Sequence, residues 1–288
     1  MNAILLQREQ TCYSMTDLKS AAIEIDRSGL LGRIGAMEVR LAATPCEIEA
    51  AQKLRYRVFF EERGTGRSDA AALDADAFDD ICEHLLVVDT ALPGGDRDRI
   101  VGTYRLLPQK KAEAGFYSSA EFYIEALTAR HPGLNFLELG RSCVLPAYRS
   151  RRTVELLWQG IWAYTRRNDI HVMAGCASFE GTVPAAHAEA LSFLHHNCRA
   201  ACDWAVSAVA DRHHTLDLMP AEAIRAREAL AGMPPLIKGY LRLGAMIGDG
   251  CVIDHDFGTT DVFVVLPVEK ISARYINYYG ADAQRFAA

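Results

Sequence analysis

The period of hydrophobic and polar positions changes several times along the chain, and each change marks an element. "MEVRLAAT" (37–44) alternates with period two and predicts a strand. In "EIEAAQKLRYRVFFEE" (47–62), Ile48, Ala51, Arg55, Val58 and Phe59 share one face of a helix. The polar, acidic segment after it, "GTGRSDAAALDADAFDDICEH", predicts a long functional loop. "HLLVVD" (84–89) and "IVGTYRLLP" (100–108) read as strands about the turn "LPGGDRD". "GFYSSAEFYIEAL" (115–127) is a mixed segment with a short helix, and "FLELGRSCV" (136–144) is a strand closed by Pro146.

In "TVELLWQGIWAYTRR" (153–167), Val154, Leu157, Trp158, Ile161 and Thr165 predict one apolar helix face. "IHVMAGCASF" (170–179) is a buried strand, and "AAHAEALSFLHHNC" (185–198) a helix with a proline at its start. Beyond residue 200, "PAEAIRAREAL" (220–230) predicts a helix and "MPPL" (233–236) a stop. "GYLRLGAMIGDG" and "DVFVVLPV" predict strands. The order of elements predicts one mixed α/β (α+β) domain over 36–288, behind a loose extension at 1–35. Region 200–288 finishes the sheet or covers one face of it.

Composition narrows the class. The chain has 288 residues, ample for a real core, and half of them are hydrophobic. A net charge of -6 argues against a general nucleic-acid binder. The eight cysteines include no CxxC pair and lie mostly in apolar runs, which fits reduced thiols in a cytoplasmic protein. Neither a signal peptide nor a run of roughly 18 to 20 apolar residues is present, so any membrane contact is expected at the surface.

Three features carry chemistry. Arg149, Arg151 and Arg152 crowd the start of the helix after the 136–144 strand. Free N–H groups and a positive dipole end favour an anion there; the alternative is a solvated basic patch. Glu138 and Arg141 stand three apart on the strand and would face opposite ways in a regular one. Gly140 between them admits a bulge that would bring both into one cleft; the alternative is a structural ion pair. The acidic loop holds Asp74, Asp76, Asp79 and Asp80, either a site for a cationic amine or a solvated turn. No metal is expected, since neither His195–His196 nor His213–His214 has ligand spacing. GxSxG, GxGxxG and GxxxxGK[ST] are all absent.

These segments together resemble a known family. "VLPAYRSRRTVELL" occupies the place of the acyl-donor loop in GNAT-fold N-acyltransferases, with Arg152 and Val154 where that loop has glycines. The departure resembles the branch that takes acyl chains from acyl carrier protein rather than coenzyme A. "LRYRVFFEE", "LDADAFDD", "IVGTYRLLP" and "ELGRSCV" are similar to signature segments of acyl-homoserine-lactone synthases. "YSSAEFYI", "GCASFEGT", "LSFLHH", "PPLIKGYLRLGA" and "YINYYGAD" bring the chain nearer to L-ornithine Nα-acyltransferases, which make lyso-ornithine lipid. The likeness runs from about residue 37 to 286.

The resemblance implies a GNAT-like mixed central sheet flanked by helices, with 200–288 as a family-specific C-terminal part. It implies attack by the α-amine of L-ornithine on the thioester of a 3-hydroxyacyl chain carried by acyl carrier protein. No cofactor is implied, the phosphopantetheine arm being part of the donor. Glu138, directly or through a water, is the implied base, with Arg141 beside it. Arg105 or Arg141 would hold the α-carboxylate, Asp76 or Asp79 the side-chain ammonium, and Arg55 would brace the acidic loop. Arg149, Arg151 and Arg152 would meet the phosphate and the carrier's acidic surface. A lyso-lipid product fits peripheral contact with the inner membrane. The rivals are an acyl-homoserine-lactone synthase using S-adenosylmethionine and a catalytically silent acyl-carrier-binding protein.

Overall fold

The computed structural model describes residues 29–64, 72–272 and 275. The proposed N-terminal extension therefore lies mostly outside the described residues. Its end does not: Leu30–Ile34 forms strand β1, paired with β2 (Met37–Leu41). Thr44 then caps helix α1 (Pro45–Tyr56) in a reciprocal box with Glu47, behind a proline in the first turn. The helix continues as one wide turn over Arg57–Glu61.

Strands β3 (Glu83–Asp89) and β4 (Ile100–Pro108) lead through helix α2 (Ile124–Arg130) to β5 (Phe136–Val144). Helix α3 (Arg151–Arg167) and strand β6 (Val172–Glu180) follow, then α4 (Ala188–Cys198) and α5 (Ala226–Gly232). Helix α6 (Pro235–Leu243) and strands β7 (Met246–Asp254) and β8 (Thr259–Pro267) complete the fold.

The described strands form one sheet in the order β1-β2-β3-β4-β5-β6-β8-β7, parallel only between β5 and β6. Leu85, Val87, Leu137 and Leu139 turn to one face, where they pack with α3, α4 and α6. Phe136 and Phe263 turn to the other, against Ile124 and Leu127 of α2. Leu86 and Val88 meet Ala51 and Leu54 of α1 on that same second face.

Three sequence expectations need correction. The segment 235–243 is helical, not extended: Ile237, Tyr240 and Leu243 recur every third residue and are buried, and Gly244 ends the helix at φ 98°. The Pro234–Pro235 pair thus starts a helix rather than stopping one. Val154 is exposed, because α3 begins at Arg151 under a Ser150 cap and turns Thr153, Leu157 and Trp158 inward. Region 200–288 finishes the sheet, with β8 zipped to β6 along nine residue pairs.

Candidate functional site

The sheet opens at its one parallel seam. Pairing between β5 and β6 stops at Glu138 and Ala174, although both strands continue for another six residues. On the far side of β5, Thr103 and Arg105 of β4 oppose Cys143 and Gly140, so β5 carries one extra residue. Arg141 supplies it, in a left-handed conformation at φ 52°. The bulge brings Glu138 and Arg141 to the same cleft, a space of about 220 Å³.

The cleft passes between the parted strands. On the α3 and α6 side it is walled by Tyr104, Leu139, Ala177 and Leu236. On the α1 and α2 side its wall includes Arg105, Tyr117, Glu138, Cys176 and Asp261. One mouth is therefore largely apolar and the other charged.

Glu138 is buried, and its two carboxylate oxygens accept from the backbone N–H groups of Tyr117 (2.7 Å) and Ser118 (2.8 Å). These N–H groups open a short turn at Tyr117–Ala120, a local positive end. Burial pushes the Glu138 carboxyl above its usual range, against the opposing pull of the donors at Ser118 and Tyr117 and of Arg105. Such a carboxylate can take a proton more readily than an exposed one.

Arg141 lies over the Tyr117 ring on one side, 4.6 Å from its centroid, and the Phe257 ring on the other, at 4.3 Å. Its guanidinium also reaches Asp74 (3.2 Å) and Asp76 (3.3 Å). Arg105 pairs with Asp76 at 2.6 Å and Asp79 at 3.4 Å, and stacks on Tyr117. Arg55, 1% exposed, ties Asp74 (2.8 Å) to Asp79 (2.9 Å).

Three arginines and three aspartates thus interlock. Burial pushes Asp79 up, but Arg55, the Asp76 N–H and Arg105 together bring it down to about 2. Asp76 and Asp79 do not line the cleft; their oxygens are occupied in aiming Arg105 and Arg141. Arg55 of α1 thus joins two aspartates of the acidic loop.

The three basic residues after β5 sit at the start of α3. Arg149 pairs with Glu62 at 2.6 Å, and the neighbouring Arg63 lines the cleft. Arg151 pairs with Glu155 one turn on. All three are exposed, and the first turn of α3 holds no acidic residue. Cys143 is buried against α1, away from the cleft, and burial pushes its thiol well up. That makes it a poor nucleophile.

Sequence reasoning missed a second group of carboxylates. Glu121, Asp254 and Asp261 bring an oxygen each to within 4.8 Å of one another. Glu121 follows the Tyr117–Ala120 turn, Asp254 ends β7, and Asp261 lies within β8. Asp254 and Asp261 line the cleft. Burial first, then the charge of Asp261, pushes Glu121 up to about 7, against Arg212 at 3.2 Å. One signal was available: an aspartate inside the apolar run "DVFVVLPV" is a polar group that must be buried. Its partners lie 140 and 7 residues before it, and no local pattern links them.

Comparison with known proteins gives the following. Residues 54–159 match the acetyltransferase (GNAT) domain family. The chain is 63% identical over 262 residues to an L-ornithine N(alpha)-acyltransferase of Brucella abortus, spanning 89% of this chain and 93% of that protein. It is 58% identical over 272 residues to the protein of that name from Rhizobium meliloti, spanning 93% and 92%. The Rhodobacter capsulatus protein of that name is 40% identical, over 84% of this chain and 94% of its own. Among solved structures, FeeM, an N-acyl amino acid synthase from uncultured soil microbes, superposes with a TM-score of 0.48 at 12% identity, covering 81% of this chain and 91% of FeeM.

Proposed function

Because this chain belongs to the L-ornithine N(alpha)-acyltransferase family, we propose that it acylates the α-amine of L-ornithine with a 3-hydroxyacyl chain from acyl carrier protein. The observation that carries this is 58–63% identity to L-ornithine N(alpha)-acyltransferases over about nine-tenths of both partners. The product is lyso-ornithine lipid, in the first step of ornithine lipid formation. The fold is that of the GNAT acyltransferases.

The two mouths of the cleft suit the two substrates. The acyl chain enters from the apolar α3 and α6 side and the amino acid from the charged α1 and α2 side. Ornithine arrives with its α-amine protonated, so one proton must leave before attack. Glu138 takes it, directly or through a water. The freed amine attacks the thioester carbonyl, and backbone N–H groups of the parted strand β5 stabilise the oxyanion. The C–N bond forms, the C–S bond breaks, and the carrier's phosphopantetheine thiol leaves with a proton. Attack is direct, so no acyl-enzyme forms.

Arg141 is our candidate for the α-carboxylate, with Arg105 behind it; Asp76, Asp79 and Arg55 keep both aimed. Arg149, Arg151 and Arg152 contact the phosphodiester and the acidic face of the carrier. Three exposed arginines at the start of α3, with no acidic residue in its first turn, support that reading. A bulky Arg152 in place of a donor-loop glycine supports a carrier protein over coenzyme A. Contact with the inner membrane would be peripheral, and no described helix is long and apolar enough to cross one.

The test offers the purified protein a 3-hydroxyacyl carrier protein with L-ornithine or with S-adenosylmethionine, and follows thiol release. Release with ornithine and an N-acylornithine product by mass spectrometry is expected. Release only with S-adenosylmethionine overturns the proposal.

A further inference from the structure

We propose that Glu121, Asp254 and Asp261 form the recognition site for the side-chain ammonium of the acceptor, and so select a diamino acid over a monoamino one. This rests on the ornithine reading above and names the residues that read the far end of that substrate.

The first observation is an unsatisfied acceptor. Asp261 is 6% exposed, lines the cleft, and its Oδ1 has no hydrogen-bond partner. A buried carboxylate oxygen left bare costs free energy unless a donor arrives. The second is net charge. Among the described residues, the three carboxylates share one direct ion pair, from Arg212 to Glu121, while Arg141 acts on Asp261 only from further off. The third is placement. Asp261 projects from β8 on the α1 and α2 side of the sheet, as its alternate neighbour Phe263 does, and this is the side of Glu138 and Arg141.

The chemistry of the oxygens favours an ammonium over a divalent metal. Glu121 already pairs with Arg212 through one oxygen and accepts from the Cys176 thiol on the other. Asp254 Oδ1 accepts the N–H groups of Asp256 and Phe257. A hard divalent ion takes about six oxygen ligands, and carboxylate oxygens already engaged by donors offer it few besides water. An alkylammonium has three N–H donors and needs only a few oxygens in a field of negative charge. The aspartates of the acidic loop are less suited, since three arginines, Arg55, Arg105 and Arg141, already balance their charge.

The test compares L-ornithine with L-norvaline, which has the same carbon chain without the side-chain amine. The wild-type protein should prefer ornithine by about 100-fold in kcat/KM, the scale of losing one buried charge pair. Asp261→Asn should lower kcat/KM for ornithine by about 100-fold, mostly through KM, and lower the ornithine-to-norvaline ratio by a similar factor. A cooperative thermal melt shows that the variant is folded. If it is not folded, Glu121→Gln carries the same prediction, and ornithine should raise the melting temperature of the wild-type protein but not of the variant.

An unchanged ornithine-to-norvaline ratio in folded variants overturns the assignment. So does equal use of both amino acids by the wild type. Loss of activity on chelation, restored by magnesium or manganese, also overturns it in favour of a metal site. Failure of the wild type to acylate ornithine at all sinks the parent reading instead.

Discussion

Gly175 of β6 stands directly against Leu139 of β5, so that a Cβ on the glycine would lie 2.3 Å from the leucine carbonyl oxygen. Its φ is 151°, which few L side chains adopt. The close approach comes one residue past the last β5–β6 pair, where the sheet begins to part. Gly175→Ala must push the strands apart at this point. We expect a loss of roughly 2–4 kcal/mol in unfolding free energy, from backbone strain and overpacking together. Denaturant melts of the two proteins measure it.

Glu138→Gln keeps the size and shape of the side chain but cannot take a proton, and its amide can accept from only one of the Tyr117 and Ser118 N–H groups. Turnover should fall about 10²–10⁴-fold, with KM for ornithine little changed. In the wild type, activity requires the carboxylate form, so kcat/KM falls as pH drops through the folded-state pKa. Burial has raised that pKa, so the acid limb should lie above the ordinary glutamate range. A limb at or below that range would remove Glu138 as the base.

Arg55 is the fully buried hub of the aspartate loop. Arg55→Met strands Asp74 and Asp79 without their main counterion, at a cost of about 3–5 kcal/mol. Asp79 sits at about 2 in the folded protein, below its unfolded value. Its contribution to stability is therefore present above pH 4 and lost as pH falls from about 4 to 2. Thermal melts between pH 7 and 3 should show that acid-dependent loss in the wild type and little of it in the variant.

Glu121 behaves in the opposite sense. Its folded-state value of about 7 lies above the unfolded one, so stability is full below about pH 4.5 and declines as pH rises through 7. Burial is the chief cause; Asp261 and Asp254 add to it, and Arg212 and the Cys176 thiol oppose it. Glu121→Gln removes one repelling charge. Its unfolding free energy should drop less than that of the wild type between pH 5 and 8, a difference of about 3 kcal/mol at most.

Reversing Arg151 and Arg152 to glutamate tests the donor contact. KM for the acyl carrier protein should rise about tenfold at low salt with kcat nearly constant, and the difference should shrink as salt is added. Initial rates at three ionic strengths suffice to see it.

Much of this arrangement was legible in the sequence because it is local. The strand "FLELGRSCV", its bulge-permitting glycine and the helix after it all follow from spacing over a few residues. What escaped depends on long-range return. Strand β1 is only five residues long, and its pairing partner β2 gives it meaning. Helix α6 hides behind two prolines that a local reading takes as a stop. The carboxylates of Glu121, Asp254 and Asp261 share a site only because β8 folds back antiparallel beside β6. The acidic loop illustrates the converse. Its aspartates were conspicuous, yet three arginines from α1, β4 and β5 neutralise them.

The extra residue in β5 also shifts the parity of the strand. Before it, the odd-numbered Leu137 and Leu139 point to the α3 side; after it, odd-numbered Cys143 points to α1 and even-numbered Val144 to the α3 side. The halves of the strand on either side of Arg141 are thereby written in two reading phases. Deleting a single codon at Gly140 or Arg141 would put them back in step. Cys143 would then turn from the α1 core towards α3, and the chain leading into Arg149 would leave the sheet facing the wrong way.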